Sequence, residues 1–322
     1  MPFLRFLNLL GGLAILLLAL AMFGAVIEPR LDLLTHFAYP LLLLAVTCFT
    51  VSLFISRKKP GAQRLVAAMA LIACLVLTGP ELVARFAPHT APAGEAQLRV
   101  MSYNLWWLNR SPDKARAVVR GSGADVVLLI ESAGRLRSVA AGLKDVYPHQ
   151  SLCPCGLSIL SRWPITDDYV RRDTRPGPQT VPSINWAVID APGGEVTVMG
   201  VHLQWPTKPE LQKLEQATLL KEAAPFDRRS LIVMGDFNST PWSVFLKRQD
   251  QLFAMERRTR GLPTWPARLP LSEQWRAPFP FMPIDHVYAG KAWRTLGARR
   301  GPSGGSDHYP VIVTLSRKAV AP

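Results

Sequence analysis

Cysteine is scarce in this chain of 322 residues: there are four. Cys48 and Cys74 lie inside apolar runs, where thiols act as packing groups. Cys153 and Cys155 form a Cys-Pro-Cys with no further cysteine near it, a poor basis for a zinc site. The pair reads either as a small disulfide of an oxidising compartment or as two free thiols in a loop. Acidic residues are also few, 23 against 37 Lys plus Arg, for a formal charge of +14. Of that surplus, +10 falls from residue 95 onward. It favours phosphate-bearing or polyanionic partners, or an anionic membrane surface. No charge occurs in Leu7 to Ile27 or in Phe37 to Ile55. That disfavours a helical hairpin buried in a soluble core, which would carry a polar face. No repeat and no low-complexity tract is present.

Each charge-free run is long enough to cross a hydrocarbon core of about 30 Å as a helix. The first is too long for a signal peptide and is followed at once by the second, so an uncleaved anchor is expected. A third run, Leu65 to Thr78, crosses only if Arg64 snorkels and the helix continues through Leu82-Val83-Ala84. Arg5, Arg57-Lys58-Lys59 and Arg64 put the amino terminus and the second connector in the cytoplasm. Three crossings then leave everything after about residue 88 outside. The expected organisation is an anchor of three transmembrane helices over 1–86, an Ala/Pro-rich linker over 87–97, and one domain over 98–318.

Within that domain, apolar strands alternate with helical or loop segments. Strands are expected over 98–107, 124–131, 156–161, 183–190, 195–203, 230–238, 284–288 and 310–315. Ser111-Pro112-Asp113 opens one helix and 209–224 has helical periodicity. Pro192-Gly193-Gly194 makes a hairpin of the two strands around it. Strand pairs mixed with helices predict α and β layers with two sheets between helices.

Polar residues recur where these strands end: Asn104, Glu131, His202, Asp236, Asn238, Asp285 with His286, and Asp307 with His308. Ligand sites of layered α/β proteins gather at such ends. In "VMGDFNSTP", Asp236 and Asn238 are two positions apart and would share a strand face. Two oxygen-bearing groups aimed into one crevice suggest a hard metal, a phosphate or a polarised water.

The ordered set Asn104, Glu131, "ILSR" at 159–162, "VHL" at 201–203, "GDFN" at 235–238, "IDH" at 284–286 and "SDHYP" at 306–310 resembles the endonuclease/exonuclease/phosphatase superfamily. That superfamily includes pancreatic-type deoxyribonucleases, apurinic-site endonucleases, neutral sphingomyelinases and inositol polyphosphate 5-phosphatases. The apolar amino terminus resembles its membrane-anchored bacterial branch. The resemblance implies a four-layered α-β-β-α sandwich (DNase-like) preceded by three transmembrane helices. It implies a multi-pass protein of the bacterial inner membrane, with Mg²⁺- or Mn²⁺-assisted hydrolysis of phosphate esters. Glu131 would be the principal metal ligand, with Asn104 and Asp307 beside it. Asp236 and Asn238 would orient the attacking water or a second metal. His308 would hold the scissile phosphate or act as base, with Asp285 fixing its tautomer. His202 would donate to a phosphate oxygen or protonate the leaving group. Arg162 would bind phosphate, and His286 would be structural. The substrate reads first as nucleic acid, with Trp106, Trp107, Trp205, Trp242 and Trp265 available for stacking. A phospholipid or another small phosphodiester is the alternative, and a non-catalytic binding module a further one. No metal or histidine position has been lost, which argues against the last. The lipid bilayer is the other expected partner, and no protein partner is implied.

Overall fold

The computed structural model describes residues 2–55, 61–87, 96–171, 182–269 and 275–317. The Arg57-Lys58-Lys59 segment and residues 88–95 of the linker lie outside the described residues. The chain forms two compact units, Met1–Ala87 with Ser239–Lys247, and Pro88–Asn238 with Arg248–Pro322.

The first unit is helical. Helices α1 (Pro2–Gly24), α3 (Ala38–Ile55) and α4 (Ala62–Arg85) are each long and apolar enough to cross a membrane, and the short α2 (Asp32–Thr35) precedes α3. The third apolar run thus continues as one helix past Val83. The helices meet through small residues: Ala19, Ala45, Ala67 and Ala70 are fully buried. Such residues let helix backbones approach where apolar burial gives no advantage over lipid. Leucines point outward instead, Leu17 and Leu65 being more than half exposed. The segment 239–247 completes this unit. Trp242 is buried against Tyr39, ring centres 4.5 Å apart. The Asp32 carboxylate accepts the N–H groups of Val244 and Phe245 at 2.8 and 3.1 Å. It thereby caps α8 (Val244–Phe253). Trp242 is therefore a packing residue, and the expectation that it could stack bases is corrected by its burial.

The second unit holds two six-stranded sheets. The first contains β1 (Gln97–Asn104), β2 (Val126–Ile130), β3 (His149–Leu152), β4 (Leu157–Ser161), β11 (Trp293–Arg300) and β12 (Val311–Arg317), in the order β11-β12-β1-β2-β4-β3. The second contains β5 (Ile165–Arg171), β6 (Ser183–Ala191), β7 (Gly194–His202), β8 (Ile232–Asp236), β9 (Glu256–Arg257) and β10 (Asp285–Ala289), in the order β5-β6-β7-β8-β10-β9. Alternate side chains explain how they pack. Val126, Leu128 and Ile130 of β2 join Ala187, Val198, Ile232 and Met234 of the other sheet in one core. Val127 and Leu129 turn the other way, onto Ala115 and Val119 of α5 (Pro112–Gly121) and Val139 and Ala140 of α6 (Arg137–Ala141). A strand covered on both faces reads as an unbroken apolar run, which is why "VVLLI" has no alternation. Helix α7 (Pro209–Ala223) buries Leu219 and Ala223, and Phe226 just beyond it meets Trp186 of β6 edge-on at 4.9 Å. The result is the expected mixed α/β sandwich of the DNase-like kind.

Candidate active site

Three strand pairings bring the polar strand ends together. In the parallel β1–β2 ladder Asn104 lies level with Ile130, one residue before Glu131. In the parallel β7–β8 ladder His202 lies opposite Asp236. In the antiparallel β8–β10 ladder Asp236 lies opposite Asp285. All these ends fall at one edge of the sandwich. Close approach of β7 and β8 requires glycine at 235, because a Cβ there would collide with the Val201 carbonyl.

The side chains then converge. Asn104 Nδ2 donates to Glu131 Oε1 and to Asp236 Oδ2, both at 3.1 Å, and so links the two sheets. Its Oδ1 accepts the Trp106 N–H at 2.9 Å. Asn104 thus holds two carboxylates, with its oxygen engaged by the main chain. Glu131 Oε2 accepts the Trp107 N–H at 2.6 Å. His202 Nε2 lies 3.9 Å from both Glu131 Oε1 and Asp236 Oδ2. His308 Nδ1 bonds Asp285 Oδ2 at 2.9 Å, and its Nε2 faces Asp236 Oδ2 at 3.7 Å and Asp307 Oδ1 at 3.9 Å.

Burial and like charge set the protonation. Burial, with the neighbouring Asp285 charge adding to it, pushes the Asp236 carboxyl up to about 6 against the pull of His308 and His202. Burial also raises Asp307, eased by His308 and by the Trp265 indole N–H. Burial opposes charge on His308, but Asp285, Asp307 and Asp236 outweigh it and hold the imidazolium well above the usual histidine range.

Two buried carboxylate oxygens, Asp285 Oδ1 and Asp307 Oδ1, have no hydrogen-bond partner. A buried anionic oxygen left unpaired is costly, and a cation is the group that would satisfy it. The surrounding oxygen donors fit Mg²⁺ or Mn²⁺ by chemistry. Asp236, Asp285 and His308 also have ligand atoms within 4.8 Å of one another. There, however, Nδ1 is spent on Asp285 and a protonated ring has no lone pair to offer. The oxygens that could hold such a cation are those of Glu131 and Asp307.

Several expectations are corrected. Asn238 does not share a strand face with Asp236. The strand stops at Asp236 and Asn238 turns left-handed, φ 46°. Its N–H bonds Asp236 Oδ1 at 2.9 Å and its Nδ2 bonds the Leu203 carbonyl at 2.8 Å. Arg162 is at the other end of the sheet: β4 runs antiparallel to β2, so Ser161 pairs with Val126. Four residue steps of strand, about 13 Å, then separate it from the Glu131 end. Its Nε instead bonds the Ala124 carbonyl at 3.0 Å. His286 is fully buried with Nδ1 3.2 Å from Thr259 Oγ1, the structural place expected of it.

Further contributors come from other parts of the chain. Trp265 Nε1 donates to Asp307 Oδ2 at 3.0 Å across 42 residues, and Trp265 packs edge-on against the half-exposed Trp205 at 6.0 Å. Ser306 Oγ donates to the Asn104 carbonyl at 2.7 Å and accepts the His308 N–H at 2.9 Å. Ser306 lies inside "SDHYP", where its spacing to His308 was a usable signal.

Residues 101–308 match the endonuclease/exonuclease/phosphatase family. An endonuclease/exonuclease/phosphatase from Beutenbergia cavernae DSM 12333 is 23% identical with TM-score 0.54, covering 69% of this chain and 72% of that one. Sphingomyelinase C from Streptomyces griseocarneus is 16% identical with TM-score 0.50, covering 68% and 99%. D. rerio TDP2 complexed with single strand DNA product is 16% identical with TM-score 0.55, covering 69% and 100%. These likenesses are of fold. No curated protein matches the sequence. With more than half its length matched, the chain belongs to the endonuclease/exonuclease/phosphatase family.

Proposed function

We propose that this protein is a membrane-anchored, divalent-metal-dependent phosphodiesterase whose substrate is nucleic acid. The family includes nucleases, sphingomyelinases and other phosphodiesterases, generally metal-dependent. The observation that carries the reading is the orphaned buried oxygen of Asp307 beside His308, with Glu131 near enough for its charge to help raise the Asp307 carboxyl. Glu131 and Asp307 would hold Mg²⁺ or Mn²⁺, which when bound polarises a phosphoryl oxygen and neutralises charge there. Asn104 and the Trp107 N–H aim Glu131, and the Trp265 indole aims Asp307. His308, pinned through Nδ1 by Asp285, directs its Nε2 proton at a phosphate oxygen. Asp236, with its carboxyl near 6, is tuned to take a proton from water. Asn238 fixes that carboxylate through its N–H. His202, a third exposed, serves the leaving-group side.

Nucleic acid is favoured by the basic surplus and by Trp205, which offers an exposed indole braced by Trp265 next to Asp307. One observation supports a phospholipid instead. Leu269, Trp275 and Phe279 are exposed close in sequence to the bridge between Arg268 and Arg276. Such a surface suits an interface with lipid. The oxidised Cys153–Cys155 pair fits an extracytoplasmic domain.

The test uses purified full-length protein in detergent with Mg²⁺ or Mn²⁺, offered single- and double-stranded DNA, RNA, and phospholipid vesicles. Hydrolysis of nucleic acid is expected, lost on chelation and in Glu131→Ala with the fold retained. Full turnover in excess EDTA would overturn the mechanism. Cleavage of phospholipid alone would move the reading to lipid.

A further inference from the structure

Glu131 is not held by the strand that leads to it. Strand β2 ends at Ile130, and Glu131 lies in the left-handed region at φ 58°. A non-glycine residue there is strained and persists only where its surroundings impose it. The imposing contacts come from the next residue. Ser132 is buried, and both its N–H and its Oγ end on one acceptor, the Gly156 carbonyl, at 2.9 and 3.0 Å. Ser158 Oγ lies 2.8 Å from Ser132 Oγ and completes the set.

Gly156 lies against Glu131 in a left-handed conformation that favours glycine. It has φ 89°, and a Cβ on it would stand 3.5 Å from Glu131 Cα and 3.7 Å from Ser132 N. What fixes Gly156 is the turn between β3 and β4. That turn is Cys153-Pro154-Cys155, closed by a disulfide. The Gly156 N–H bonds the Cys153 carbonyl at 3.1 Å, the Cys155 N–H bonds Cys153 Sγ at 2.9 Å, and the Cys153 N–H bonds the Leu157 carbonyl at 2.9 Å. A cavity of about 330 Å³ adjoins, lined in part by Ser132, Ser158, Cys153 and Pro154, with Arg137 and Lys144 on its wall. It opens beside Cys153, one half of the disulfide.

We propose that the Cys153–Cys155 disulfide, acting through Gly156 and Ser132, is a positioning element for Glu131, so that the site binds its divalent cation firmly only when the pair is oxidised. This rests on the reading of Glu131 as metal ligand. In reduction, a thiolate of a dithiol attacks one sulfur of the pair and breaks the S–S bond. The second thiol of the reductant resolves the mixed disulfide. Two electrons and two protons end on Cys153 and Cys155 as thiols, and the reductant leaves as its own disulfide. The turn that carries the Gly156 carbonyl then loses its covalent closure and keeps only hydrogen bonds.

The experiment measures the Mn²⁺ dissociation constant of the full-length protein by calorimetry, oxidised and after dithiol reduction with the reductant removed under argon. Reduction is expected to weaken Mn²⁺ binding by about 10- to 100-fold, the usual effect of losing a group that orients a metal ligand. The double variant C153A/C155A should match the reduced protein and ignore the reductant. Ser132→Ala in the oxidised protein should weaken binding similarly, and reduction should add little to it. Equal affinity in both redox states, with circular dichroism unchanged, overturns the proposal. If reduction instead unfolds the domain, oxidised Ser132→Ala decides, and full affinity there overturns it. Glu131→Ala separates the two readings. Unchanged Mn²⁺ binding in that variant would sink the metal assignment itself, whereas lost binding there with redox-independent binding in the parent sinks only this inference.

Discussion

The pair His308–Asp285 offers the sharpest test of the proposed chemistry. Both side chains are almost wholly buried and 2.9 Å apart, and Asp285 lies on the Nδ1 side, away from the reaction. With charge centres roughly 4 Å apart and an effective dielectric near 20, the attraction is about 4 kcal/mol. Without Asp285, the ring loses one of the three carboxylates that favour its charge and the partner that fixes its orientation, so its Nε2 proton would no longer be held toward the phosphate. Asp285→Ala is therefore expected to lower kcat by about three orders of magnitude. His308→Ala removes the same interaction and should fall about as far. The double variant should be no worse than the poorer single one, because both act on one transition-state contact. The assay is a double-mutant cycle on a soluble phosphodiester at saturating Mg²⁺, with circular dichroism to confirm folding. Losses that multiply would refute the pairing, and so would a mild effect of Asp285→Ala.

Two further outcomes are expected. Burial raises Glu215 of α7 from 4.5 to about 7 although it accepts the Gln204 N–H at 2.8 Å. The native state then keeps a proton that the unfolded chain releases, so stability falls as pH rises from about 4.5 to about 7. Glu215→Gln, which keeps the acceptor, should raise Tm at pH 8 by a few degrees, with a ceiling of about 3 kcal/mol, and leave it unchanged at pH 4. A gain of the same size at both pH values would show that the cause is not ionisation. For topology, alkaline phosphatase fused after residue 95 should be active in cells, as three crossings require. An inactive phosphatase with an active cytoplasmic reporter at the same site would place the domain inside.

The sequence by itself determined the eight inner strands, the helices α1, α3, α4, α5 and α7, and the polar residues that end the strands. Inner strands such as "VVLLI" and "LIVM" are apolar because both faces are covered, so composition alone marks them. The four edge strands were not legible. "HQSL", "ITDDYVR", the two-residue "ER" and "WRTLGARR" lie at the sheet margins, where solvent permits polar and charged side chains and no apolar run forms. Strand direction was equally hidden. "ILSR" looks the same whether it runs toward the site or away from it, and only the antiparallel pairing of β4 with β2 carries Arg162 to the far end. The same holds for the groups that aim the site. Trp265 reaches Asp307, Gly156 reaches Ser132 and Asn104 reaches Asp236 across long stretches of chain, through hydrogen bonds whose partners no local pattern specifies. Local chemistry announces which residues can bind and react, because a carboxylate at the end of an apolar strand is unusual wherever it occurs. What faces it is set by sheet order and register, and those are properties of the packed whole.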